Sequence, residues 1–175
     1  MLGHRLPNFD RLEPASDRYA MLSVGDAFTW DACLDAVDPG EWYMVAFRSL
    51  RHADADEGRL TAYDEWAHTE AMDAPGFVHY LKGPTQHDGR CMSFCLWDSR
   101  AEARAAAGRP AHMEAVALTH EAYAEYALEF HRVRRLEAGG FTFEPYDVHP
   151  TLVIEPEPEF EPDARRALTP RLAPS

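Results

Sequence analysis

Between Cys91 and His112 the chain reads C-M-S-F-C-L-W-D-S-R-A-E-A-R-A-A-A-G-R-P-A-H. No other stretch limits the fold as tightly. A strand-like run closes at Trp97, and Ser99-Arg100-Ala101-Glu102 follows at once as a capping box. In such a box the Ser hydroxyl and the Glu carboxylate satisfy free backbone N–H groups at a helix start. Alanine-rich residues carry the helix to Ala107, Gly108 is placed to end it in the left-handed conformation, and Pro110 opens a new segment. A strand that passes directly into a capped helix points to a mixed α+β chain.

The flanking sequence fits. Trp42-Tyr43-Met44-Val45-Ala46-Phe47 is almost wholly apolar, the pattern of a strand buried on both faces. From Asp54 to Met72 the period turns helical, with Leu60, Tyr63, Trp66, Ala67 and Ala71 near one face and Asp56, Glu57, Asp64, Glu65 and Glu70 toward water. Pro75-Gly76 ends that helix, Phe77 to Leu81 predicts a second strand, and the polar loop 83–89 joins it antiparallel to the strand 91–97. Residues 111–122 predict a further helix. From Tyr126 to Val133 the residues alternate, with Tyr126, Leu128 and Phe130 on one side and Ala127, Glu129, His131 and Val133 on the other. Phe141 to Glu144 predicts one more short strand. Near the start, Tyr19 to Val24 predicts a short strand, and Thr29 is placed to cap a helix from Trp30 to Val37.

Strand, helix, Pro75-Gly76-Phe77 strand, strand ending in Trp97-Asp98-Ser99, helix and Arg109-Pro110-Ala111-His112 is an order that resembles the antibiotic-biosynthesis-monooxygenase-like branch of the dimeric α+β barrel superfamily. The resemblance covers residues 41–146. It implies a ferredoxin-like split βαβ with an antiparallel sheet, two subunits pressing their sheets together into a barrel, and a pocket between sheet and helices. A first strand without a polar face adds to the expectation of a homodimer, since one chain's helices cover only one side. Residues 1–40 are then an N-terminal extension and 147–175 a Pro- and Glu-rich arm or tail, with Leu152, Val153 and Ile154 as a segment that docks on the partner.

Composition excludes several classes. The chain has 175 residues, a formal net charge of -13 and 46% apolar residues, enough for a packed core but the wrong charge for nucleic acid or an anionic membrane surface. Lys82 is the sole lysine. Three cysteines, no apolar run approaching a membrane span and no h-region at the N-terminus predict a cytoplasmic protein in a reducing compartment. Cys91 and Cys95, on one strand, lie roughly 13 Å apart, too far for a disulfide. There is no Cys-x-x-Cys, H-E-x-x-H, Gly-rich phosphate loop or G-x-S-x-G, and no metal site is expected.

The candidate catalytic residues are His79, His131 and Arg48. If Phe77, His79 and Leu81 share a face with Ser93, Cys95 and Trp97, and with Glu129 and His131, a polar cluster forms on an apolar sheet, and a His beside a carboxylate is an acid–base pair. The same residues also fit a hydrogen-bonded core cluster, because one slip in register disperses them. Cys95 next to His79 would make a thiolate pair, or else serve as a small buried hydrophobe. His112, at a helix start, is the candidate cofactor-binding residue. The heme-degrading members of the superfamily would need a Trp where Ala106 stands, a His where Val116 stands and an Asn on the first strand, so that chemistry is disfavoured, while His112 leaves heme binding open.

Three functions follow. The first is an enzyme: a homodimer that binds a small apolar or aromatic molecule and oxidises it with O₂ without a cofactor. The second is a heme- or ligand-binding module without turnover, and the third a non-catalytic dimeric interaction protein.

Overall fold

A computed structural model of the chain describes residues 7–33, 38–146 and 152–154, the last three by their backbone pairing. The chain builds one antiparallel sheet whose hub is β1 (Gly40–Arg51). This strand pairs on one edge with β3 (Arg90–Trp97) and on the other with β4 (Tyr123–Arg135). β2 (Phe77–Lys82) lies outside β3, and β5 (Phe141–Pro145) outside β4, giving the order β2-β3-β1-β4-β5. The helices α2 (Glu57–Met72), α3 (Arg100–Ala107), α4 (Pro110–Ala117) and α5 (Thr119–Ala122) form the crossovers. The result is the βαββαβ order of an α+β, ferredoxin-like sheet.

Local chemistry sets the helix starts. The Asp56 carboxylate accepts the Arg59 N–H at 2.9 Å and begins α2. Ser99 caps α3 through the Glu102 N–H, and its hydroxyl also donates to the Glu102 carboxylate at 2.8 Å. Gly108 differs from the sequence expectation: its φ is -84°, so it ends the helix without entering the left-handed region. The predicted helix 111–122 divides at Leu118 into α4 and α5.

Pairing on both edges makes β1 sort its side chains by parity. Trp42, Met44 and Ala46 point to one face, where Met92, Phe94, Leu96 and Val133 join them in a buried cluster. Residues 7–33 close this face. They run as single 3₁₀ turns at Phe9–Arg11, Tyr19–Met21 and Trp30–Cys33 and one short helix, α1 (Val24–Ala27). The strand predicted at Tyr19 to Val24 is absent because Tyr19 turns inward, almost fully buried, with its hydroxyl donating to the Pro84 carbonyl at 2.8 Å and accepting the Met92 N–H at 3.2 Å. Thr29 does not cap the following turn, since its hydroxyl instead accepts the Glu13 N–H at 3.0 Å. The predicted stretch 34–37 lies outside the described residues. Trp30 sits 5.4 Å from the Phe94 ring and 4.8 Å from Phe143, and Phe28 lies 5.3 Å from Phe94. Each such pair contributes about 0.5–1.5 kcal/mol beyond the area it buries.

The apolar sheet face that led us to expect a second subunit is therefore covered by the chain itself. Leu152–Ile154, expected to dock on a partner, form β6, which pairs antiparallel with Tyr126 to Leu128 of the same chain's β4. The rest of the predicted tail lies outside the described residues.

Gly83 fits under Tyr19. A Cβ there would stand 2.1 Å from the Tyr19 Oη and 2.3 Å from the Met92 carbonyl oxygen, which is backbone and cannot step aside. Gly83→Ala should cost about 2–3 kcal/mol, read as a lower urea midpoint with an unchanged slope. An unaltered midpoint would show that the Tyr19 anchor is not formed.

Candidate functional site

The opposite face of the sheet is incompletely filled. A cavity of about 400 Å³ lies between it and helices α2 to α4. Its floor carries the odd-numbered residues of β1, Tyr43 through Arg51, with Cys95 and Trp97 of β3 and Leu128 and Phe130 of β4. On the helix side small residues, Ala67 and Ala71 of α2, Ala103, Ala106 and Ala107 of α3, and Ala115 of α4, alternate with larger ones such as Leu60, Tyr63 and His68. Alanines opposite aromatics leave volume that no side chain reaches, and that pattern produces the cavity. Trp66, expected on the inner face of α2, instead points outward and is 49% exposed, while Asp64 and Glu70, expected in water, line the cavity.

Three polar groups meet in the cavity wall. Tyr80 donates from its hydroxyl to Asp64 Oδ1 at 2.6 Å, and Lys82 Nζ lies 3.0 Å from Asp64 Oδ2. Burial, and then the Asp64 charge, push the Tyr80 phenol well above its ordinary value, so it stays protonated. The His68 ring packs 4.9 Å from the Tyr80 ring. On the helix side, Glu70 Oε2 accepts the backbone N–H groups of Ala111 and His112, at 3.1 and 3.3 Å, and caps α4. The His112 side chain lines the cavity, and burial lowers its pKa while the Glu70 charge opposes that shift. Its imidazole is therefore neutral near pH 7.

The predicted trio lies elsewhere. Arg48, His131 and His79 do not line this cavity; they project from the face that residues 7–33 cover. A bulge between Phe77 and His79 shifts the β2 register, so Phe77 and Tyr80 face the helices and His79 faces away, against Phe9 at 5.5 Å. His79 and His131 occupy one row, through Leu96 and Met44. Three strand spacings separate them, roughly 14 Å, so the expected shared cavity is corrected. Arg48, Glu129 and His131 do come together. The Arg48 guanidinium donates to the Ala20 carbonyl at 2.8 Å, to the Leu22 carbonyl at 2.7 Å and to the Glu129 carboxylate, and His131 Nε2–H donates to Glu129 Oε2 at 3.0 Å. This cluster clasps the N-terminal segment to the sheet. Cys95 is on the cavity face, apart from His79; burial pushes its thiol up to about 11, and it accepts the Trp97 indole N–H at 3.0 Å. It is a thiol, not half of a thiolate pair.

The sequence did not single out Asp64, Lys82 or His68 as site residues. A signal was present for one of them, the only lysine of the chain, which stands opposite a helix carboxylate. Among the described residues no group of three or more His, Cys, Asp and Glu is arranged to hold a metal ion, and no helix is long and apolar enough to cross a membrane.

A split βαβ antiparallel sheet with its crossover helices over one face defines an α+β, ferredoxin-like protein. The chain belongs to the PB2B2.08-like family, whose model matches residues 6–145 and so takes in the N-terminal segment. Solved structures similar to it include SnoaB, a cofactor-independent oxygenase from Streptomyces nogalater, at 12% identity and a TM-score of 0.41, over 63% of this chain and 99% of SnoaB. A candidate antibiotic biosynthesis monooxygenase from Chloroflexus aurantiacus is 20% identical, with a TM-score of 0.43, over 57% of this chain and 97% of that one. A dimeric ferredoxin-like protein of unknown function from Thermobifida fusca is 12% identical, with a TM-score of 0.44, over 55% and 95%. No curated protein matches the chain.

The clasp gives a pH prediction. The hydrogen bond from His131, and then the Arg48 guanidinium, hold Glu129 at about 2, below its ordinary value of 4.5. A depressed carboxylate stabilises the fold fully above pH 4.5 and loses that contribution as pH falls toward 2, about 3 kcal/mol in all. Urea unfolding across pH 2.5–7 should show this acid loss in the wild type and a flatter profile in Glu129→Gln. Parallel profiles would show that Glu129 is not held this way.

Proposed function

We propose that the cavity binds a small, largely aromatic or apolar molecule and that the chain oxygenates it without a cofactor. The observation that carries this reading is the 400 Å³ hollow itself, within the size range of small-molecule sites, with a neutral imidazole, His112, in its wall. The reaction class comes from the resemblance borne by the Pro75-Gly76-Phe77, Trp97-Asp98-Ser99 and Pro110-Ala111-His112 motifs.

In cofactor-free oxygenation the substrate supplies the electrons. A base takes a proton from an activated ring CH₂, and the resulting anion passes an electron to O₂. The radical pair joins as a hydroperoxide, and loss of water leaves a carbonyl. One oxygen of O₂ ends in the product and the other in water. His112 is the base in this scheme, since burial keeps it unprotonated and able to accept, and Glu70 fixes it through the backbone of the α4 start. The Tyr80–Asp64–Lys82 group orients the substrate from the sheet side. His79, His131 and Arg48 hold the N-terminal segment and take no part.

With an anthrone as substrate, the wild type should consume O₂. Ala67→Trp, which fills the hollow, should lose that activity while it keeps its unfolding midpoint. His112→Gln should lower kcat by about 10²-fold. Because a base must be deprotonated and burial lowers the His112 pKa, the acid limb of kcat/KM should fall below 6.5. Undiminished turnover in Ala67→Trp would place the chemistry outside the cavity.

The rival reading, a heme- or ligand-binding module without turnover, also rests on His112. Hemin added to the protein would then give a Soret band that His112→Ala abolishes. On the oxygenase reading no such His112-dependent band forms.

The reading also takes the site to be complete in one chain. On the sheet face that residues 7–33 cover, the homodimer expected from the apolar first strand would meet that segment rather than the sheet. Light scattering at micromolar concentration should return the 19.8 kDa of a single chain. Twice that mass would mean that a second copy displaces the segment or uses another surface.

A further inference from the structure

The end of the cavity nearest the 83–89 loop gathers hydrogen-bond donors, several of them without an acceptor. Arg51 and Tyr123 face each other across β1 and β4, and Ser49 faces Tyr126 one step further in. All four line the cavity. The Tyr123 and Tyr126 rings lie 5.5 Å apart. Neither hydroxyl has a hydrogen-bond partner among the described residues. Burial raises the pKa of both phenols, so each keeps its proton. Arg51 is held in place from outside: its Nη1 lies 3.2 Å from Glu57 Oε1, and its Nη2 donates to Thr85 Oγ1 at 3.2 Å. Its third donor, Nε, is buried without a partner. Asp64, the other carboxylate at this end, already receives Tyr80 and Lys82 on its two oxygens.

A guanidinium N–H has no acceptor role to fall back on, and a buried donor left unmade costs about 1–3 kcal/mol. The Arg51 guanidinium and the two phenols line the hollow, where a ligand oxygen can supply the acceptor they lack. The opposite end of the same hollow is walled by Tyr43, Trp97, Phe130, Ala103 and Ala106, with little to hydrogen-bond. The cavity is therefore polarised along the strands, apolar at the Trp97 end and donor-rich at the Arg51 end.

We propose that the ligand is an aromatic molecule bearing an anionic oxygen group at one end, and that Arg51, Tyr123 and Tyr126 receive that group while its rings lie toward Trp97. This rests on the cavity being a ligand site, as proposed above, and adds the ligand's polarity and direction. Carboxylate and phenolate share the chemistry: both accept a charge-assisted hydrogen bond from a guanidinium and two from phenols.

Binding of matched naphthalene probes by the full-length chain separates the two claims. The probes are 2-naphthoate, its neutral isostere naphthalene-2-carboxamide, and 1-hydroxy-2-acetonaphthone at a pH where its phenol is ionised. The naphthoate should bind at least 10-fold tighter than the carboxamide, and the phenolate probe should show which oxygen group is favoured. Tyr126→Phe, which removes one hydroxyl and keeps the ring, should narrow the preference several-fold, because a charged acceptor loses more than a neutral one. Arg51→Met should erase it. Equal binding of naphthoate and carboxamide, or a preference that survives both substitutions, overturns the anionic end and leaves the cavity reading standing. Failure of every probe to bind overturns both.

Discussion

A strand paired on both edges and covered on both faces has nowhere to put a side chain except by parity. β1 is such a strand, and its registers with β3 and β4 decide where every other layer sits. Trp42, Met44, Ala46 and Arg48 go to one side, Tyr43, Val45, Phe47, Ser49 and Arg51 to the other. The even side is closed by residues 7–33, buried around Phe94 and Trp30. The odd side meets alanine-rich helices and stays hollow. The same backbone thus makes a sealed face and a binding face, and a one-residue slip would exchange them.

The two faces use polar groups differently. On the sealed side Arg48, Glu129 and His131 satisfy one another and two backbone carbonyls, which is how a half-buried charge is tolerated. That arrangement holds the segment and leaves little free for a substrate. On the binding side Tyr80, Asp64 and Lys82 are paired, but Arg51 Nε is not.

Sequence patterns carried most of the fold because they are periodic. The alternation of Tyr126, Leu128 and Phe130 against Glu129 and His131 placed β4's two faces correctly, and the Ser99 box placed α3. What they could not carry were events that break a period. The bulge after Phe77 moved His79 off the cavity face onto that of Arg48, Glu129 and His131, three strand spacings from His131. The helical pattern of α2 put Trp66 inside and Asp64 outside, because hydropathy alone does not know that the inner face borders a cavity with room for a carboxylate. Residues 7–33 hold too few regular repeats to be read as a cover, and their role follows only from long-range contacts such as Tyr19 with Pro84 and Met92. Lys82 was visible as the sole lysine, but its partner, on another element, was not.

The central claim is that ligand enters the helix side of the sheet while the other side is closed by the chain itself. The chain has four tryptophans: Trp97 borders the cavity, Trp30 and Trp42 lie in the sealed layer, and Trp66 is on the outside of α2. Their indole N–H resonances, followed while 2-naphthoate is added to ¹⁵N-labelled protein, report each location separately. The Trp97 signal should shift while those of Trp30 and Trp42 stay. Movement of Trp30 and Trp42 with Trp97 unmoved would contradict it.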